Sequence, residues 1–185
     1  MLTFSEYPFS FTNGLRLVGQ LNANRFDSSW IVSCQRERQL KGLVLAGNQF
    51  TNGIPVNLGN LSHLLTLDFT CNQLGGSIPT SLANLSQLQY LGLGNDQLAG
   101  SIPDFLGHLP DLRSLELGGN LLTGGIPANL VNDSQLEELI IFANQLTGSI
   151  PPNLGNLTNL QDLALGDNQL RACFENGIFM LMRDV

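Results

Sequence analysis

LKGLVLAGNQF, at residues 40–50, and LRSLELGGNLL, at residues 112–122, follow one pattern of spaced leucines that ends in an asparagine and an apolar residue. Counting onward from Asn48 in equal steps reaches an Asn or Asp each time, at Asn72, Asp96, Asn120, Asn144 and Asn168. A fixed period of roughly 20 to 50 residues indicates stacked repeats. The sequence therefore predicts a solenoid of 24-residue coils over residues 40–170.

Each copy also carries the residues that would close a coil. The leucines of L-x-L alternate with small or polar residues, which predicts a short strand with one face inward. Stacked coils would pair these strands into a parallel sheet along one side. An Ile-Pro pair and a further leucine then predict a short helical turn on the far side. The pairs are at 54–55, 78–79, 102–103, 126–127 and 150–151.

The asparagine slot lies where the chain leaves the strand and turns. An amide there can both donate and accept, so we expect it to satisfy backbone groups within and between coils. Asp96 breaks this ladder, because a carboxylate cannot donate as an amide does. Asn95 is adjacent, and a one-residue shift would allow it to substitute.

The combined pattern N-x-L-x-G-x-I-P-x-x-L-G-x-L resembles the plant-type class of leucine-rich repeats. Gln73–Pro79 and Gln145–Pro151 carry the likeness most clearly. The resemblance implies an α/β repeat solenoid: a right-handed leucine-rich-repeat superhelix with a parallel sheet on its concave face. Short 3-10 or helical turns would form its convex side.

The N-terminal part keeps the repeat frame less well. Residues 1–39 are predicted to be a degenerate N-terminal cap and first coil, because counting one period back from Leu45 gives Leu21. Trp30 and Cys34 resemble the end of the plant-type cap, although the spacing is one residue short and the cap's partner cysteine is missing.

The frame also weakens toward the other end. Residues 171–185 would be an incomplete last coil without a C-terminal cap, and the pairing of Cys34 and Cys173 is left open. Asp133 stands in a slot that other coils fill with leucine. A buried charge there would be costly, so we expect local softness at residues 131–135.

Composition excludes several classes of function. Charged residues are 12% of the chain and the net charge is −7, which disfavours nucleic acid and anionic membrane surfaces. The three cysteines lack metal-ligand spacing, so we expect no metal site. The sequence contains neither a phosphate-binding loop nor a catalytic constellation, so we expect no cofactor and no enzymatic activity. The sequence shows no signal peptide and no apolar run long enough for a transmembrane segment.

Function is expected on the outward slots of the strands, whose side chains alternate with buried leucines. Most of these slots hold small residues, which predicts a shallow trough open to a partner backbone. An aromatic and aliphatic pair beside carboxylates suits a protein or peptide hot spot, and ordinary surface variation is the alternative. The candidates are Asp68, Tyr90, Arg113, Glu116, Glu138, Ile140, Phe142 and Asp162.

Four N-x-S/T sequons fall in the turns opposite the predicted sheet. They begin at Asn60, Asn84, Asn132 and Asn156. In a secreted chain they would place glycans on the convex side and spare the sheet face. One repeat slot generates all four, so they are equally consistent with a structural motif that carries no sugar.

The resemblance implies an extracellular or cell-surface recognition module, similar to the ectodomains of plant receptor-like kinases and receptor-like proteins. Its partner would be a protein or peptide, with a basic ligand favoured by the carboxylates, or another leucine-rich-repeat ectodomain. A second interpretation is a soluble inhibitor of cell-wall-degrading enzymes, similar to polygalacturonase inhibitors. A structural or ice-binding solenoid is a third, although the sheet face lacks a regular Thr or Asn ladder.

Overall fold

The computed structural model describes residues 9–12, 16–19, 40–131 and 135–171. For residues 9–12 and 16–19 it describes the backbone course alone. The predictions made for Trp30, Cys34, Asn132, Asp133 and Cys173 lie outside the described residues.

An eight-stranded sheet runs along one side of the described chain. Seven of its strands are parallel, and β1 (Phe9–Thr12) pairs antiparallel with β2 (Arg16–Gly19) at one edge. From β4 (Thr66–Asp68) onward each strand of this sheet pairs with the one a coil earlier in a constant register, as in Leu67 opposite Leu43. The strands, in spatial order, are β1 (Phe9–Thr12), β2 (Arg16–Gly19), β3 (Gly42–Val44), β4 (Thr66–Asp68), β6 (Tyr90–Gly92), β8 (Ser114–Glu116), β10 (Glu138–Ile140) and β12 (Asp162–Ala164).

The inward face of this sheet forms the core. Leu67, Leu91 and Leu115 are the middle residues of their strands, and each is fully buried. The Ile-Pro isoleucines and the leucines of the far turns complete the same cluster, as Ile78 and Leu82 do. Burying one leucine stabilises the fold by about 1.5–3 kcal/mol, and every coil contributes several. The predicted solenoid of equal coils with parallel strands is therefore confirmed over residues 40–131 and 135–171.

The first coil is longer than the repeat frame predicts. β2 pairs with β3 so that Arg16 lies opposite Gly42, and β3 pairs with β4 so that Gly42 lies opposite Thr66. The sequence separation between paired residues is two positions longer from β2 to β3 than from β3 to β4. β2 and β3 therefore do not pair at the 24-residue offset of the later coils, and Leu21, on which the predicted frame was counted, lies outside the described residues.

A second, smaller sheet forms where each coil turns away from the first. It contains β5 (Gly75–Gly76), β7 (Gln97–Ser101), β9 (Leu121–Gly124) and β11 (Gln145–Leu146), paired in parallel. Between the two sheets every coil has one residue with positive φ, which gives the sharp turn. These residues are Gly47, Cys71, Asn95, Gly119, Ala143 and Asp167.

The asparagines lie directly after these turns and join neighbouring coils. Asn120 is buried; its amide donates to the carbonyl oxygen of Leu117 at 3.0 Å and to that of Leu93, one coil earlier, at 2.7 Å. Its oxygen accepts from the backbone N–H of Leu98 at 2.9 Å. The same arrangement recurs at Asn72, Asn144 and Asn168. Asn48 donates to carbonyl oxygens within its own coil.

Asp96 keeps the ladder slot itself. Its Oδ1 accepts from the backbone N–H of Leu74 at 2.7 Å, so the proposed one-residue shift to Asn95 is wrong. The other oxygen, Oδ2, is buried without a hydrogen-bond partner among the described residues. Burial raises the pKa of this carboxyl to about 7, and the backbone hydrogen bonds only partly oppose the rise.

Five 3-10 turns line the opposite side of the coils in the part of the chain that the structure describes, in agreement with the sequence prediction. They are Val56–Asn60, Thr80–Asn84, Asp104–His108, Ala128–Val131 and Pro152–Asn156. Proline precedes or opens each of them, since its fixed φ suits the first turn and its missing N–H costs nothing there.

The 3-10 turns are spaced unevenly. A Cβ added to Gly107 would lie 2.3 Å from the backbone oxygen of Asn129, and one added to Gly59 would lie 2.1 Å from that of Ser81. The same slot holds Ala83 and Val131 in the alternate coils, where neighbouring turns make fewer close approaches. Glycine therefore permits close packing at every second junction, and a side chain separates the turns at the others.

Candidate ligand-binding face

The outward residues of the eight-stranded sheet form the candidate surface, which we call the sheet face. Constant register from β3 to β12 arranges these residues in columns. One column runs Thr66, Tyr90, Ser114, Glu138, Asp162, and its neighbour runs Asp68, Gly92, Glu116, Ile140, Ala164. Neighbouring members of a column are about 4.8 Å apart, so they can interact directly.

Tyr90 lies at the centre of an acidic cluster. Its hydroxyl donates to Oε2 of Glu116 at 2.9 Å, across one coil. Partial burial, then the nearby charges of Asp68 and Glu116, raise the pKa of Tyr90 far above its usual range. The phenol therefore stays protonated and holds the Glu116 carboxylate in place.

Two further carboxylates are held in the same way. The Ser114 hydroxyl donates to Oε2 of Glu138 at 2.5 Å, and Asp68 accepts from the backbone N–H and the hydroxyl of Thr70 at 3.0 and 2.8 Å. These neutral donors position the acids without cancelling their charge.

Arg113 does not join this cluster. It forms an ion pair with Glu137 in an outer column, where both side chains are substantially exposed. Such a pair contributes roughly 0–1 kcal/mol in solvent. Sequence reasoning missed the partners Ser114 and Glu137. The repeat period could have revealed both pairs. Ser114 and Glu138, like Arg113 and Glu137, are one period apart and therefore occupy the same slot in neighbouring coils.

The expected trough is wrong at three glycines, because neighbouring side chains lie over them. A Cβ at Gly92 would meet the Tyr90 hydroxyl at 2.7 Å, and one at Gly118 would meet the Phe142 ring at 2.6 Å. At Gly94 it would meet the Glu116 side chain at 3.1 Å. Single-sequence reasoning treated each small residue as open space, whereas large side chains nearby fill that space.

An apolar area adjoins the acids toward β12. Phe142 is 37% exposed and Ile140 is partly exposed. Gly166, beside Phe142 in the next coil, has no described atom within 4 Å of the position of a Cβ. Asp162 is exposed and pairs in register with Glu138.

Three of the four predicted sequons can be located. Asn60, Asn84 and Asn156 each end a 3-10 turn, and all three are exposed on the side away from the sheet face. Among the described residues, no group of three metal-ligating side chains comes together. None of the described helices has the length and hydropathy that a bilayer-spanning segment requires.

Stacked coils, an asparagine ladder and one polar sheet face define the class of a leucine-rich-repeat solenoid. The chain belongs to the leucine-rich-repeat family, whose models match residues 38–98, 111–132 and 135–157. Among curated protein sequences, none matches it.

Solved plant structures are similar to it. The ectodomain of the Arabidopsis thaliana receptor kinase GASSHO1/SCHENGEN3, in complex with CASPARIAN STRIP INTEGRITY FACTOR 2, is 35% identical with a TM-score of 0.70; the match covers 74% of this chain and 16% of that one. The ectodomain of the Arabidopsis receptor kinase HAESA, in complex with an IDA peptide hormone, is 37% identical with a TM-score of 0.71, over 74% of this chain and 23% of that one.

A shorter relative is similar over most of its length. The BIR2 ectodomain from Arabidopsis thaliana is 30% identical with a TM-score of 0.64, and the match covers 75% of this chain and 71% of that one. The chain thus spans under a quarter of the two longer receptors described above.

Proposed function

We propose that this chain is a non-catalytic recognition module that binds a protein or peptide on its sheet face, as the extracellular part of a receptor-like kinase or receptor-like protein. The observation that carries the proposal is the Tyr90, Glu116 and Phe142 group. These side chains occupy outward slots that the repeat does not require to be large, and they are ordered by contacts across coils. A preorganised aromatic and acidic surface is typical of a binding hot spot.

Similar solved structures support the class of ligand. HAESA was solved in complex with a peptide hormone, and GASSHO1/SCHENGEN3 in complex with CASPARIAN STRIP INTEGRITY FACTOR 2. We infer a peptide ligand for this chain as well, because its sheet face is an extended surface with aromatic side chains and carboxylates that are held in place. The acids around Tyr90 favour a basic ligand over a neutral or acidic one. A second leucine-rich-repeat ectodomain is a further partner of the same kind.

A cell-surface location fits the same proposal. Exposed sequons at Asn60, Asn84 and Asn156 lie opposite the sheet face, so glycans there would leave that face free. Expression through a secretory pathway should yield a chain whose mass falls on treatment with peptide N-glycosidase. The Asn84→Gln variant should lose one glycan. A secreted chain of unmodified mass would contradict the glycoprotein proposal.

Blocking the face tests recognition itself. Gly166→Trp places a large ring in the open space beside Phe142, whereas Val56→Trp adds the same ring on the 3-10 side, where Val56 is 64% exposed. Peptides selected from a random displayed library against the full chain should bind the second variant normally and the first at least tenfold more weakly. Peptides that bind both variants equally would refute recognition through the sheet face.

The inhibitor hypothesis is a second candidate, since the acidic face would also suit a basic enzyme surface. Inhibition of a fungal polygalacturonase by the full chain, lost in Gly166→Trp and kept in Val56→Trp, would favour it over peptide recognition.

A further inference from the structure

We infer that the peptide carries a large apolar residue that sits beside Phe142 over Gly166, and a basic residue two to four positions away that reaches the carboxylates around Tyr90. This inference rests on the proposed function and specifies the ligand's chemistry at that same face.

The apolar half follows from where exposed hydrophobic surface lies. Val56, Leu121 and Phe142 are the large hydrophobic side chains exposed in the described part of the chain. Val56 lies on a 3-10 turn and Leu121 in the second sheet, which leaves Phe142 on the sheet face. One face of its ring covers Gly118, and no described atom lies within 4 Å of the Cβ position in the neighbouring slot at Gly166. An apolar side chain placed there would remove apolar surface of the Phe142 ring from water, which favours binding.

The basic half follows from charge that is ordered but not neutralised. Three carboxylates surround Tyr90. Its hydroxyl donates to Glu116 at 2.9 Å, and that hydroxyl and Oδ1 of Asp68 both lie within 3.0 Å of the Cβ position at Gly92. Glu138 lies in the same column as Tyr90, two coils away.

The ion pair found among the described residues joins Arg113 to Glu137, outside this cluster. A ligand that covered the cluster without supplying a cation would desolvate unpaired carboxylates, which is costly. A guanidinium or ammonium group removes that penalty and gains charge-assisted hydrogen bonds.

The spacing follows from sheet geometry. Gly166 and Glu116 are two coils apart across the sheet, about 9.6 Å, and two residues apart along the strand direction, about 6.6 Å. The diagonal is roughly 12 Å, which an extended chain covers in three to four residues at about 3.3 Å each. Glu138 lies one coil from Gly166 and four residues away along the strand direction, at about 14 Å. A long basic side chain at the second to fourth position can therefore reach either acid.

The test selects random displayed dodecapeptides on the full chain and then compares matched variants. Glu116→Gln with Glu138→Gln keeps an oxygen for the Tyr90 and Ser114 hydroxyls while removing two charges. Asp104→Asn with Asp111→Asn removes two charges from exposed positions off the sheet face. Urea unfolding of each variant checks that the fold is retained.

Selected peptides should be enriched in Arg or Lys two to four positions from Leu, Ile, Phe or Trp. Binding should fall about tenfold or more in the Gln pair, with weaker dependence on salt, and stay within twofold in the Asn pair. Phe142→Ala should weaken binding while preserving the salt dependence.

The failures are distinguishable. Peptides that lose binding to Gly166→Trp but show no basic enrichment, or that bind the Gln pair normally, would overturn this inference and leave recognition through the face intact. Peptides insensitive to every sheet-face variant, or no selected peptides at all, would overturn both.

Discussion

Gly107→Ala tests the close packing of the 3-10 turns. The added methyl would lie 2.3 Å from the C and O atoms of Asn129 and 2.5 Å from the backbone nitrogen of Leu130. Carbon contacts normally lie at about 3.5–4.0 Å, so the two turns would have to separate by more than about 1 Å. Overpacking of this kind costs about 1–3 kcal/mol, and alanine returns about 0.4–1 kcal/mol by restricting the unfolded chain.

We therefore expect a net loss of about 1–2 kcal/mol in the free energy of unfolding, or roughly 2–8 °C in Tm, measured by urea and thermal unfolding. Gly125→Ala is the matched control, because the nearest atom to its methyl is the oxygen of Thr147 at 3.7 Å. That variant should be neutral or slightly stabilised. Asn129→Ala should not rescue Gly107→Ala, since the clash is with backbone. Equal unfolding midpoints for the two glycine variants would refute this packing.

The remaining predictions concern three other positions, all followed by urea unfolding. Asp96→Asn should stabilise by about 1–2 kcal/mol at pH 8, because it supplies the donor that the ladder lacks. The gain should shrink at pH 5: the folded pKa of Asp96, about 7, exceeds its ordinary value of 3.8, so its contribution to stability is complete below about pH 4 and lost as pH rises through 7. An equal gain at both pH values would contradict this assignment. Asn120→Asp should show the reverse, a loss that is larger at pH 8 than at pH 5, and a pH-independent loss would argue against it. Ala143→Gly should stabilise by about 0.5–1 kcal/mol. The φ of 48° costs alanine about 1–2 kcal/mol, and the greater flexibility of glycine in the unfolded chain offsets only part of the relief. Destabilisation would show that the Ala143 methyl group makes stabilising contacts.

The core of the fold was predictable because it depends on period alone. A leucine at every second strand position must face one way, and a constant repeat length between equivalent leucines brings the strands into register. The asparagine ladder was predictable for the same reason. The backbone groups at this recurring turn need both a donor and an acceptor, and the side-chain amide of Asn120 supplies both.

Features that depend on contacts between two coils could not be predicted by considering each repeat position separately. The Asn95 shift was wrong because the turn fixes Asn95 with positive φ and leaves Asp96 pointing inward. The open trough was wrong at Gly92 and Gly118 because the side chains of Tyr90 and Phe142 lie over glycines in their own or an adjacent coil. Candidate residues could be chosen from exposure, but their grouping required contacts between successive coils.

Glycine alternates with a larger residue at one position of the 3-10 turns, as in Gly59, Ala83, Gly107 and Val131, and this alternation constrains how repeats can be added or removed. The true modular unit of the array is a pair of coils, because two successive junctions differ in width. Duplicating a single coil would place two wide or two narrow junctions in succession and so break the alternation. Insertion or removal of whole pairs would preserve it.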